Sequence, residues 1–171
     1  MGSSRRVPTD NLSSGSGVNT MNGLLITNKD QVAREQMAAI FQQDDYQVET
    51  ADSVINSLQG ILDKSIQVVV LGGLFDESQI AKFVPLLKKC NRNLSIILVS
   101  DEMPLDLLRR IRKEGIFYHA LRPVEGESWD EIRQVVKCAF ENYQARQNAG
   151  HKLFKRTVPL QNTVDGLTSL G

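Results

Sequence analysis

From Gly23 onward the chain alternates short apolar runs with longer stretches whose apolar residues recur at helical spacing. That alternation is the signature of βαβ units and a parallel sheet, and five strand-then-helix repeats can be counted. The first strand is expected over residues 23–27 and a helix over 31–43, with Val32, Met37, Ile40 and Phe41 on one face and Asp44 and Asp45 ending it. A short second strand follows over 47–50. Val54, Leu58, Ile61 and Leu62 then mark a second helix beginning near Ser53.

Residues 66–71, Ile-Gln-Val-Val-Val-Leu, form the clearest strand, suited to the buried centre of a sheet. A third helix fits residues 78–89, with a break or bend expected at Pro85, where a backbone hydrogen bond is lost. The fourth strand is placed at 94–100. Asp101 and Pro104 read as the cap and first turn of a fourth helix that Gly115 stops. The fifth strand is 117–121, and Ser128 with Glu131 makes a capping-box pattern for a last helix reaching about residue 147. Ile132, Val135, Val136, Ala139, Phe140 and Tyr143 keep the helical period along it.

Composition changes the picture at the two ends. Residues 1–20 are rich in Ser, Gly, Asn and Thr and hold too little apolar surface to offset the entropy of ordering, so a disordered leader or tag is expected, with a native start at Met21. Residues 21–147 carry the folded domain. Residues 148–171 are expected to be a tail or the start of a linker to an output domain.

The 171-residue chain has 20 basic and 20 acidic residues, so no whole-chain charge draws it to nucleic acid or an anionic membrane. Two basic clusters, Arg109, Arg110, Arg112 and Lys113 and then His151, Lys152, Lys155 and Arg156, lack an interleaved aromatic set and read as solvated faces, not as a nucleic-acid surface. Cys90 and Cys138 are the only cysteines, without metal-ligand spacing. No membrane span, secretory leader, metal or cofactor is expected, and a reducing cytoplasm suits the two thiols. Enzyme motifs are missing as well: there is no G-x-S-x-G elbow, Ser100 and His119 have no identifiable acid partner, and no G-x-G-x-x-G follows the first strand.

The strand ends bear the most specific pattern. The first strand runs into Ile-Thr-Asn-Lys-Asp with Arg34 beyond it; the third ends at Gly72; the fourth ends at Ser100; the fifth carries His119 and ends in Arg122-Pro123. Over residues 21–147 this resembles a bacterial response-regulator receiver domain. The resemblance implies a doubly wound, flavodoxin-like five-stranded parallel sheet. It also implies that Asn28 and Lys29 stand where the family has its magnesium-binding acidic pair, and Gly72 where the family has the aspartate that takes the phosphoryl group. Ser100 matches the Thr or Ser of the fourth strand, His119 the aromatic switch position, and Arg122-Pro123 the family's Lys-Pro with its cis peptide.

Phosphoryl transfer to a carboxylate needs the nucleophile itself and a hard cation held by carboxylates. Gly72 offers no nucleophile, and a divalent ion beside Lys29 would meet repulsion of about 8 kcal/mol at 4 Å and an effective dielectric of about 20. The expected function is therefore an interaction module that is not an enzyme. It would pair with itself or a protein partner through the fourth helix, fifth strand and fifth helix, residues 105–143. Residues 163–170 resemble the D-x-L-T-x-L opening of diguanylate cyclase domains, and receiver-like domains also precede the ATPase domains of transcription activators, so a fused output domain is a further expectation. The competing reading is a sensor of a small anion or nucleotide in the pocket around Asn28, Lys29, Gly72, Ser100 and Arg122. Lys29 is either a built-in cation in that pocket or a solvated loop lysine.

Overall fold

A computed structural model describes residues 22–62, 66–73, 77–124 and 128–156. Along them lie β1 (Gly23–Thr27), α1 (Gln31–Gln42), β2 (Gln47–Ala51), α2 (Val54–Leu62), β3 (Val68–Gly72), α3 (Glu77–Cys90), β4 (Ser95–Ser100), α4 (Leu105–Lys113), β5 (Tyr118–Leu121) and α5 (Asp130–Arg156). The strands form one parallel sheet in the order β2-β1-β3-β4-β5, the flavodoxin-like arrangement expected. Parallel strands need crossovers, and each crossover here carries a helix.

The period-two alternation of the strands divides the core into two layers. Leu24, Ile26, Val68, Val70, Ile97 and Val99 face α1 and α5, where Met37, Phe41, Val136 and Phe140 close over them. Leu25, Val69, Leu71, Ile96 and Leu98 face α2, α3 and α4, meeting Ile61, Phe83, Val84, Leu87 and Ile111. Continuous apolar runs such as Val68 to Leu71 follow from this burial on both faces. The side on which a strand-end residue stands is set by the same alternation. A side chain at position 72 would share the face of Val68 and Val70, toward α1 and α5.

Several local expectations are corrected. Helix α3 runs through Pro85 without a break, because Phe83, Val84 and Leu87 on either side are buried and their packing offsets the lost hydrogen bond. Val32 is 63% exposed and takes no part in the core, which α1 reaches through Met37, Ala38 and Phe41. Asp101 does not cap α4: that helix starts at Leu105 without a side-chain cap, and the Asp101 carboxylate lies 3.5 Å from Arg122. The expected capping box of Ser128 and Glu131 is not made. Ser128 Oγ accepts from the Asp130 amide at 3.1 Å, while Glu131 accepts from the Tyr118 hydroxyl at 3.0 Å.

Helix α5 continues to Arg156 instead of ending near residue 147. Residues 147–156 are mostly good helix formers, and Gly150 costs only about 1 kcal/mol relative to alanine. At 27 residues the helix is about 40 Å long, well over twice the reach of the five-residue strands. The expected leader at 1–20 and the segment 157–171 lie outside the described residues, as does Asp76, a carboxylate that follows β3 in sequence.

Candidate functional site at the carboxyl ends of the strands

The carboxyl ends of β1, β3 and β4 meet beside the start of α1. Asn28 is the hinge of this arrangement and is 95% buried, with 5% of its surface exposed. Its amide donates to Ala51 O at 3.1 Å, its Oδ1 accepts from the Asp30 amide at 3.0 Å, and its carbonyl accepts from Arg34 Nη1 at 2.6 Å. Asp30 in turn caps α1, accepting from the Ala33 amide at 3.1 Å. Asn28 Oδ1 and Asp30 Oδ1 thus hold the β1–α1 connection through backbone amides.

Gly72 and Gly73 differ in what they tolerate. A Cβ at Gly72 would lie 3.4 Å from Thr27 O, 3.6 Å from Asn28 Nδ2 and 3.7 Å from Val99 O, all ordinary contacts. Gly73 has φ of +44° and a Cβ there would overlap the Asn28 carboxamide. Only Gly73 is required by the backbone. Position 72 has room for a side chain that the sequence does not supply.

A cavity of about 650 Å³ opens beside these groups. Asn28, Gly72, Val99 and Arg122 line it from the strand ends, Gln36, Met37 and Ile40 from α1, and Pro123, Val124 and Trp129 from the chain between β5 and α5. Of the residues singled out in the sequence, Asn28, Gly72, Arg122 and Pro123 therefore come together. Lys29 is exposed and is not in the cavity wall, so its place is that of a surface lysine. Arg122 continues the β4–β5 ladder, its amide donating to Ser100 O at 2.8 Å, and among the described residues no peptide bond is cis, so the bond to Pro123 is trans, unlike the cis bond that the resemblance implies.

Ser100 and His119 also lie outside the cavity wall but meet each other. Ser100 Oγ is 3.0 Å from His119 Nε2 and donates to Asp101 O at 2.8 Å. With the single hydroxyl proton spent on that carbonyl, Nε2 carries the imidazole proton and donates to Oγ. This polarity is the reverse of a base-activated nucleophile. Burial, and then the nearby Arg112 guanidinium, push the His119 pKa below its ordinary value of 6.5, while Glu131 opposes them.

Sequence reasoning missed Gln36, Met37, Ile40 and Trp129 as cavity residues. Helical spacing assigned Met37 and Ile40 to an undifferentiated core face, and nothing in the residues around Trp129 announces which way its ring lies. The Ser100–His119 contact was legible in principle, since the two residues were placed on the fourth and fifth strands, which pair side by side.

The receiver resemblance implies a magnesium ion, and the described residues at the strand ends do not fit one. Asn28 Oδ1 is already engaged by a backbone amide, Lys29 is a cation, Gly72 has no side chain, and one oxygen of the Asp30 carboxylate caps α1. Among the described residues no group of three or more His, Cys, Asp or Glu is placed to hold a metal. Nor is any helix among them long and apolar enough to cross a membrane.

No protein-family model matches the chain, and no curated protein matches it in sequence. Solved structures do. The beryllofluoride-activated NtrC4 receiver domain dimer is 20% identical with a TM-score of 0.63, the match covering 72% of this chain and 99% of that one. The Vibrio cholerae chemotaxis protein CheY4 is 17% identical with a TM-score of 0.58, covering 68% and 98%. NtrX from Brucella abortus, solved in complex with ATP, is 16% identical with a TM-score of 0.62, covering 75% of this chain but 29% of the longer NtrX chain. Strand order, layering and these neighbours together establish that the chain has the flavodoxin-like fold of CheY-like receiver domains.

Proposed function

We infer that the chain is a receiver-like regulatory domain of two-component signalling or transcription control that works without aspartyl phosphorylation, by protein–protein contact. The observation that carries this reading is Gly72. It ends β3 at the position facing Asn28, with space for a side chain and none present, beside a β1–α1 connection in which Asn28 Oδ1 and Asp30 Oδ1 accept from backbone amides. Loss of both the nucleophile and the metal pair removes the chemistry but leaves the scaffold. Such a scaffold is regulatory and not catalytic.

The contact surface in this reading is the face of α4, β5 and α5. It presents Leu105, Tyr118 and Leu121, which are 58%, 41% and 53% exposed, amid charged residues such as Arg109 and Glu131. An apolar strip rimmed by charge suits a protein interface. A receiver domain among the structural neighbours is a dimer, and another belongs to the longer NtrX chain, so a homodimer or a fused output domain are the partners this reading favours. The long α5 would serve as the connection.

Incubation with acetyl phosphate followed by intact-mass analysis tests the phosphorylation-independent part. No phosphoryl adduct is expected. An adduct mapped to Asp30 or Asp76 would overturn the reading by supplying an alternative acceptor.

A further inference from the structure

The cavity of about 650 Å³ beside Gly72 falls within the roughly 300–1,000 Å³ of small-molecule sites. Its walls are unlike. Met37 and Ile40 from α1 and Val124 and Trp129 from the β5–α5 connection are apolar, whereas Arg122, with the carboxamide of Asn28, gives the strand-end side its polarity. None of the described lining residues is acidic, and Arg122 is the cation among them. Arg122 faces Asp101 at 3.5 Å, but the Asp101 side chain is 77% exposed, and a solvent-facing pair of this kind contributes only about 0–1 kcal/mol. A better desolvated anion would displace it.

We propose that this cavity binds a small aromatic monocarboxylate, its carboxylate on Arg122 and Asn28 and its ring against Trp129, Met37 and Ile40. A bare inorganic anion would leave the apolar wall unused. A nucleotide triphosphate would bring several negative charges to one guanidinium, with Lys29 outside the wall. A monoanion with a flat apolar body matches both halves, and an arginine fork suits a planar carboxylate. The inference rests on the reading of position 72 as a vacated acceptor, since a side chain there would project toward Asn28 Nδ2 and into the polar side of the site.

Trp129 is the only tryptophan of the chain, so its fluorescence reports on this cavity alone. The full chain is titrated with phenylacetate, with its neutral isostere phenylacetamide, and with inorganic phosphate. Phenylacetate is expected to give a saturable change in emission at about tenfold lower concentration than the amide. Arg122→Gln, at an exposed side chain whose loss leaves the fold intact, is expected to bring the acid down to the level of the amide without moving the amide. A flat phenylacetate titration, equal affinities for acid and amide, or saturation by phosphate alone as readily as by phenylacetate would overturn the proposal. A flat titration in a protein that also ignores beryllofluoride removes the ligand and leaves the phosphorylation-independent reading standing; a response to beryllofluoride removes that reading itself.

Discussion

Alanine at Gly72 and alanine at Gly73, adjacent in sequence, should have opposite consequences for stability. At Gly73 the backbone is left-handed, with φ of +44°, and an L side chain there costs about 1–2 kcal/mol. The new methyl would also overlap the Asn28 carboxamide, which must turn and release the Asp30 amide from its 3.0 Å bond, a loss of about 0.5–1.5 kcal/mol. Stiffening of the unfolded chain returns about 0.4–1 kcal/mol. The net expectation for Gly73→Ala is a destabilisation of about 2 kcal/mol. At Gly72 the backbone is not left-handed, and the methyl finds neighbours at 3.4, 3.6 and 3.7 Å, so only the unfolded-state gain remains and Gly72→Ala should be neutral or slightly stabilising. Urea midpoints read the difference, with a separation in Tm of about 10 °C as a second readout. Asn28→Ala supplies the control: in a double-mutant cycle with Gly73→Ala it should show a coupling of at least about 0.5 kcal/mol, because the overlap disappears with the carboxamide. Equal midpoints for the two single variants, or additive effects in the cycle, would refute the account of the strand end.

Phe140 is 97% buried, leaving 3% exposed, and stacks on Tyr46 at 4.9 Å between ring centroids, so Phe140→Ala should cost about 3–5 kcal/mol by chemical denaturation. Two groups give acid-side losses of stability. Because the folded pKa of His119 is depressed, its contribution is present above the ordinary value of 6.5 and is lost as pH falls below it toward the folded value; His119→Asn should flatten that part of a stability–pH curve. Asp44, whose pKa is held below 3.8 first by its hydrogen bond to Arg133, with burial opposing, contributes above that value and loses its contribution as pH falls through the folded pKa; Asp44→Asn should remove this lower step. Replacing Leu105 and Leu121 together by glutamate should leave the melting temperature nearly unchanged while abolishing any concentration-dependent association seen by sedimentation velocity.

The inner strands β1, β3 and β4 were legible because they are buried on both faces and their apolar runs are unbroken, as at Val68 to Leu71. Helix ends were legible where the terminator is local. Asp30 capping α1 and Gly115, with φ of +89° just past α4, are of that kind. They were not where tertiary packing overrides a local signal, as buried Phe83 and Leu87 do around Pro85, or where a charged cap candidate finds a better partner, as Asp101 does in Arg122. Position governed the site in the same way. Asn28, Gly72, Arg122 and Pro123 could be gathered because strand ends converge whatever the side chains do. The orientation of Ser100 and Trp129 depends on hydrogen bonds and packing made across the sequence, which periodicity does not encode.

The central claim, that regulation here proceeds without phosphorylation, is met most directly by an amide NMR titration of the chain with magnesium and beryllofluoride, a phosphoryl mimic that requires both an acceptor carboxylate and a metal. The account predicts no specific shifts at Asn28, Gly72, Ser100 or Arg122. Saturable shifts centred on those residues would contradict it and show a working phosphoswitch.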